Sequence, residues 1–369
     1  MTTIKEVARR AGVAPASVTR ALSGHPNVSD ELRQKVLAAV AETGYKPDLL
    51  AAGLRSRSSR CVGIIVSDLI NPLLAEVVHY MEMAISQAGY TVLLANSHGD
   101  PARDTDSVHT LHQRRVDAIA VMCVDERNAE LQQALAGFPG PVVLLDREIP
   151  SCETASAVVS DHYRGTYRLT EHLLEAGHRE ILYLGGLLDT THVGRERLRG
   201  FQAALADHGL EMRPDLLRAS RAVAQAGRDV IAELLDRDAL PSAIVVGPNP
   251  FVPGVLTELH ARGVRVGQDV ALASLDDTPL AVLHQPPVTA LSRSMDELAR
   301  VAARLLLDQL AGSRIQPRTV VLPVEVQLRP STAVTAEAVA QNRSRRRSGR
   351  RRASGDGAPG LRRGAGAAV

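Results

Sequence analysis

The sequence has no tryptophan, three phenylalanines and three cysteines. Cys61, Cys123 and Cys152 stand far apart, odd in number and without a CxxC pair. That pattern offers neither a zinc site nor a disulfide framework. No apolar run approaches the ~18 residues needed to span a bilayer. The first residues, MTTIKEVARR, are charged and lead into no apolar stretch, so no signal peptide is read and a cytoplasmic protein is expected. GxSxG, P-loop and HExxH motifs are missing, and the one GxGxxG match, GDGAPG at 355–360, follows no β-branched run, which leaves no catalytic constellation and no cofactor cradle. His109 and His112 lie three apart on a predicted helix, and two ligands alone make a poor metal site. The expectation is therefore no enzyme, no cofactor and no metal.

What is present is 369 residues, 45% of them hydrophobic, enough for two or three domains with sizeable cores. The formal net charge is only +2, but it is unevenly spread. Residues 1–60 carry net +5, residues 341–369 net +8, and the stretch between them net −11. Two basic ends on an acidic body point to a polyanionic partner.

The N-terminal basic end has a readable architecture. Thr3 and Glu6 have capping-box spacing before IKEVARRA, where Ile4, Val7, Ala8 and Ala11 share a helical face. Gly12 supplies a sharp turn, Val13 plugs it, and Pro15 suits the first position of a second helix. That helix turns Val18, Ala21 and Leu22 inward and leaves Ala16, Ser17, Thr19 and Arg20 outside. A third helix is capped by Ser29, striped by Leu32, Val36, Leu37 and Val40, and ended by Gly44. Two short helices joined by a Gly-containing turn read as a helix-turn-helix, or as an ordinary helical hairpin with a solvated face.

The stretch TIKEVARRAGVAPASVTRALSGHPNVSDELRQKVLAAVAETGYKPDLLAAGLRSR resembles the DNA-binding head and hinge of the LacI/GalR family. The resemblance continues through VGIIVSDLINPLLAEVVHYMEMAISQAGY, PVVLLDRE, RERLRGFQAAL and DVALASLDD, covering residues 2 to 332. It implies that Pro15, Ala16 and Arg20 face base edges and that Ser17 and Thr19 contact phosphates. Arg20 can pair bidentately with guanine. Asn27 matches another DNA-facing position, and Tyr45 packs the head with its hydroxyl near the phosphates. Leu54 matches a hinge leucine that wedges into the minor groove and kinks the duplex. Gly53, a poor helix former, precedes it here.

Beyond residue 60, short β-branched runs alternate with amphipathic helices in two sets, which implies an α/β fold with parallel sheets. The resemblance implies a two-lobed periplasmic-binding-protein type I sensor crossed three times by the chain. It divides the protein into a head (1–46), a hinge (47–60), an effector and dimerisation domain (61–340) and an Arg-rich tail (341–369). Lobe one would hold 61–162 and 291–323, and lobe two 163–290 and 324–340. Ligands bind beyond the carboxyl ends of parallel strands. Asp68, Asn71, Asp146, Arg147, Asn249 and Asp276 follow such strands, and Arg197 opens a helix. By matching, Leu73, Asp146, Arg197, Asn249 and Asp276 are the candidate effector contacts; each polar one can equally cap a neighbouring helix.

The chain departs from the family in this region. Leu73 and Leu74 stand where two aromatics are common, and Asn249-Pro250 replaces an Asn-Asp. With no Trp and only three Phe, Phe138, Phe201 and Phe251, stacking on a sugar face is limited. The tail has almost nothing apolar to bury and is expected to be disordered, as a non-specific DNA arm or as a solubilising extension. The resulting expectation is a homodimeric repressor on a palindromic DNA operator, controlled by a carbohydrate between the lobes. A purine or other metabolite acting as corepressor is the runner-up. A solute-binding protein without regulatory role is the reading from another class.

Overall fold

A computed structural model describes residues 2–22, 25, 27–45, 58–313 and 316–344. It divides into two compact units, Met1–Arg60 and Cys61–Val369. The first unit contains α1 (Ile4–Ala11), α2 (Pro15–Leu22) and α3 (Asp30–Thr43). Gly12 closes α1 at φ 65°, a left-handed conformation that costs glycine little, and the chain turns directly into α2. Val7, Ala8, Ala11, Val18, Ala21, Val28, Val36 and Ala39 form the core, with Val13 and Tyr45 packed against it.

Two expectations for this unit fail. Thr3 holds the N-cap position but makes no side-chain cap bond. Glu6, its expected partner, bonds Arg9 one turn on, at 3.3 Å. Leu37 is 45% exposed, while Ala39 is buried in the place the apolar stripe assigns to it. Helix α3 is rotated so that Val36, Ala39 and Val40 face α1 and α2.

The second unit has two six-stranded sheets among its described residues. In the first, β1 (Cys61–Val66), β2 (Thr91–Asn96), β3 (Ala118–Met122), β4 (Val142–Leu145), β5 (Ala155–Ser160) and β11 (Thr319–Leu322) run in the order β11-β5-β4-β3-β1-β2. All of its pairs are parallel. Helices α4 (Pro72–Gln87) and α11 (Met295–Leu310) cover one face. Helices α5 (Pro101–Gln113) and α6 (Ala129–Ala136) cover the other.

In the second sheet, β6 (Ile181–Gly185), β7 (Leu217–Ala219), β8 (Ala243–Val246), β9 (Ala271–Ser274), β10 (Thr289–Ser292) and β12 (Glu325–Gln327) run β12-β10-β9-β8-β6-β7. Edge strand β12 is antiparallel, a departure from the expected all-parallel pattern. Helices α7 (His162–Glu175) and α8 (His192–Asp207) pack on one face, α9 (Ala224–Asp236) and α10 (Val252–Ala261) on the other. Gly200 lets α8 lie close on α7: a Cβ there would meet the Tyr163 carbonyl at 2.3 Å.

The chain passes between sheets after β5, after β10 and after β11. The second crossing falls at residues 293–294, because β10 stays in the second sheet to Ser292, close to the expected boundary of about 290. Residues 336–344 are helical, so the start of the expected tail belongs to this unit. Arg343 donates to the carbonyls of Asp269, Leu240 and Pro241 at 2.6–2.8 Å. The rest of the tail, and hinge residues 46–57 with Gly53 and Leu54, lie outside the described residues. No helix of the described residues is long and apolar enough to cross a membrane.

Candidate functional site

In the head, packing decides which residues remain outside. Val18 and Ala21 are buried, so Pro15, Ala16 and Arg20 are exposed on the opposite face of α2. Ser17 and Thr19 flank that face, half-buried. The Thr19 hydroxyl donates to the Pro15 carbonyl at 3.2 Å, which leaves its oxygen able to accept. Asn27 is exposed in the turn before α3, and Tyr45 is half-buried against the head core. No acidic residue lies on α2. A helix of this width, bare of carboxylates and carrying Arg20, matches what a major groove admits.

In the second unit, a cleft of about 290 Å³ opens beyond the carboxyl ends of both sheets. Its walls include Asp68 after β1, Asp146 and Arg147 after β4, Arg197 on α8, and Asp276 after β9. This is where ligands of open parallel sheets bind, and the volume is at the small end of the usual ~300–1,000 Å³. Leu73 does not join them. It is packed into the core with Val77, Met81 and Ile85, each a full turn further along α4, and Leu74 lines the cleft instead. Asn249 is buried in a short 3₁₀ turn, and its side chain spans the lobes, donating from Nδ2 to Asn71 Oδ1 at 2.9 Å. Tyr183 and His98 are the aromatic rings among the lining residues; Tyr183 is buried and His98 exposed.

The polar floor is an ion network. Arg197 Nη2 donates to Asp276 Oδ1 at 2.6 Å and to the Leu275 carbonyl at 2.8 Å. Arg293, at the second crossing, bridges the lobes by donating to Asp146 and, at 3.2 Å, to Asp276. Asp146 Oδ1 also accepts from Ser160 N, and Asp276 Oδ2 from Asn249 N. Burial alone would raise both carboxyls. Arg293 and His162 hold Asp146 well below the usual carboxylate range, and Arg197 and Arg293 hold Asp276 low. Arg293 and His162 are therefore parts of this site that the family match did not supply. The signal was available for Arg293: it follows a strand end, in VTALSRS.

His162 sits under this network, accepting from Arg197 Nε at Nδ1, 3.3 Å away. Its Nε2 is 3.4 Å from Asp146 Oδ1. Burial pushes its pKa down to about 4. A histidine held neutral in the fold stabilises above its unfolded pKa of ~6.5, and that contribution is lost as pH falls towards 4. Urea denaturation from pH 7 to 4.5 should therefore show the native chain losing stability faster than His162→Gln. Equal slopes would remove His162 from the account. His172 and His178 are also lowered by burial, and the comparison with the variant cancels them.

A second interlobe contact lies at the rim. Glu126, between β3 and α6, is 3% exposed. It accepts from the His192 backbone N at 2.7 Å, at the first turn of α8, and from Arg195 Nη2 at 2.6 Å. A carboxylate from lobe one thus caps a lobe-two helix where the dipole favours it. His192 Nδ1 meets Glu148 at 3.0 Å, and Arg127 pairs with Asp189. Glu126→Ala should lower stability by about 1.5–3 kcal/mol, the worth of hydrogen bonds to a charged group, measured by urea denaturation. A loss below ~0.5 kcal/mol, typical of surface positions, would mean the contact holds nothing. His109 and His112 are exposed on α5, and no metal-binding cluster occurs among the described residues.

Residues 3–48 match the bacterial regulatory proteins of the lacI family, and residues 170–332 a periplasmic binding protein-like domain. The ribose operon repressor of Haemophilus influenzae is 30% identical over 90% of this chain and 98% of its own. The structure is similar to that of transcriptional regulator CelR in complex with cellobiose, at 30% identity and TM-score 0.67 over 90% of this chain and all of that one. It is also similar to the lac repressor dimer bound to operator and the anti-inducer ONPF, at 25% identity and TM-score 0.78 over 90% of this chain and 99% of that one. A head with a bare α2 face, two crossed α/β lobes and a cleft at their strand ends go together with these matches, and the chain belongs to the LacI family of bacterial regulatory proteins.

Proposed function

We propose that this protein is a transcriptional repressor that reads a palindromic operator as a homodimer and is controlled by a small molecule in the interlobe cleft. The observation that carries the reading is the exposed face of α2, where Pro15, Ala16 and Arg20 stand clear of the head core. In this reading Arg20 specifies a guanine, and Ser17, Thr19 and Asn27 position the helix on the backbone. Leu54 is assigned the minor-groove wedge. The relatives named for a ribose operon and solved with cellobiose support a carbohydrate effector. Asp146, Arg197 and Asp276 form the floor on which it rests. Asn249 and Asn71 close behind it.

Effector and operator affinities must be coupled by the same factor in both directions. Lobe movement supplies the coupling, because Asp146, Glu126 and Asn71 in lobe one are bonded to lobe-two or crossing residues. The test is selection of random duplex DNA by the full chain. Enrichment of a palindrome with two half-sites supports the reading. Enrichment of nothing, or of a single asymmetric site, contradicts it. A solute-binding protein without regulatory role predicts the first of those failures.

A further inference from the structure

The charges in the cleft do not balance. Asp146 and Asp276 are bonded to Arg293 and Arg197, so those four charges cancel. Three charged lining residues remain: Asp68, Arg147 and Arg221. Asp68 Oδ1 is engaged by the Ile70 backbone N at 3.0 Å. Arg147 donates only to backbone carbonyls, of Cys123 at 2.6 Å and of Asp146 at 2.8 Å, and pairs with no carboxylate among the described residues. The exposed Arg221 guanidinium has no partner at all among them.

The two arginines come from opposite walls. Arg147 follows β4 in lobe one; Arg221 follows β7 in lobe two. Arg221 reaches over the mouth to the other lobe: a Cβ on Gly99 would lie 3.5 Å from its Nη2. The remaining lining is largely aliphatic, with the His98 imidazole as its one exposed ring.

We propose that the cleft takes a small polyhydroxyl ligand bearing an anionic group, phosphate or carboxylate, which Arg221 and Arg147 hold between the lobes. This rests on the reading of the cleft as the effector site and narrows its chemical class. Arg293 and Arg197 already engage both carboxylates of the floor, which leaves fewer acceptor sites for a sugar's hydroxyls. Two guanidiniums without carboxylate partners are matched by an anion with several acceptor oxygens. An anion held from both walls also draws the lobes together.

The test is calorimetric titration of the full chain with ribose, glucose, ribose 5-phosphate, glucose 6-phosphate and gluconate. At least one anionic member is expected to bind tenfold or more tightly than its neutral parent. Arg221→Ala should weaken that binding at least tenfold, and Arg221→Lys should restore part of it. Preference for gluconate over both phosphates assigns a carboxylate; the reverse assigns a phosphate. A neutral sugar that binds as well as its anion, an anion unaffected by Arg221→Ala, or no binding by any anion overturns the proposal. The wider effector reading is judged separately, by whether any member, charged or neutral, changes operator affinity.

Discussion

Arg293→Ala should destabilise the second unit by about 3–5 kcal/mol, the cost of removing one partner from a buried ion pair. The loss is not the worth of the pair itself. It is the penalty for leaving Asp146 and Asp276 in a buried site without the guanidinium between them. Burial would then raise both carboxyls, and Asp146 would keep only neutral His162 and the Ser160 N–H beside it. The double variant Arg293→Ala/Asp146→Asn should recover part of the loss, since an amide needs no counter-charge. Urea denaturation of the two variants reads both effects. A single-variant loss under ~0.5 kcal/mol would place Arg293 among ordinary surface residues. Because Arg293 stands on the second crossing, the same substitution loosens the connection between lobes.

Arg20→Ala should have the other large effect, on DNA rather than on stability. A bidentate pair with guanine is worth about 1–3 kcal/mol against the wrong base. A dimer presents two such residues, so the loss on a palindrome is about 2–6 kcal/mol, roughly 30-fold to 10⁴-fold in Kd. Sequence preference should relax at one position in each half-site. Ser17→Ala, a phosphate contact in this account, should weaken all duplexes alike. Fluorescence anisotropy on the selected palindrome and on a variant at that position separates the two. An Arg20→Ala chain with unchanged preference would move base readout elsewhere. Arg20 is exposed on α2, away from the head core, so its truncation opens no cavity there.

How far the sequence could be read varies from residue to residue. In the head, Gly12, Ser29 and Gly44 announce their turns and caps because each meets a local backbone requirement. Leu37 misleads because an isolated helix pattern cannot say which of two adjacent apolar residues meets a neighbour. Leu73 was open to a better reading. Its spacing to Val77, Met81 and Ile85 is four throughout, which puts it on the core side and leaves Leu74 for the cleft.

The network under the cleft was harder to foresee. Asp146, Arg197 and Asp276 are visible one by one at strand ends and a helix start. That Arg197 is bonded to Asp276, and that Arg293 and His162 tie Asp146 to that pair, depends on three chain crossings that bring distant segments together. Glu126 was hidden for the same reason: its partners are His192 and Arg195 on another lobe. Local patterns gave elements and their ends; they could not give which ends meet.

The central claim is that the chain discriminates an operator. The measurement that tests it is the ratio of Kd values for the selected palindrome and for a duplex of the same length with both half-sites scrambled, at physiological salt. The account predicts a ratio of about 10³ or more, the range of specific over non-specific DNA binding. A ratio near one, with both affinities falling equally steeply as salt rises, would show backbone attraction alone and contradict it.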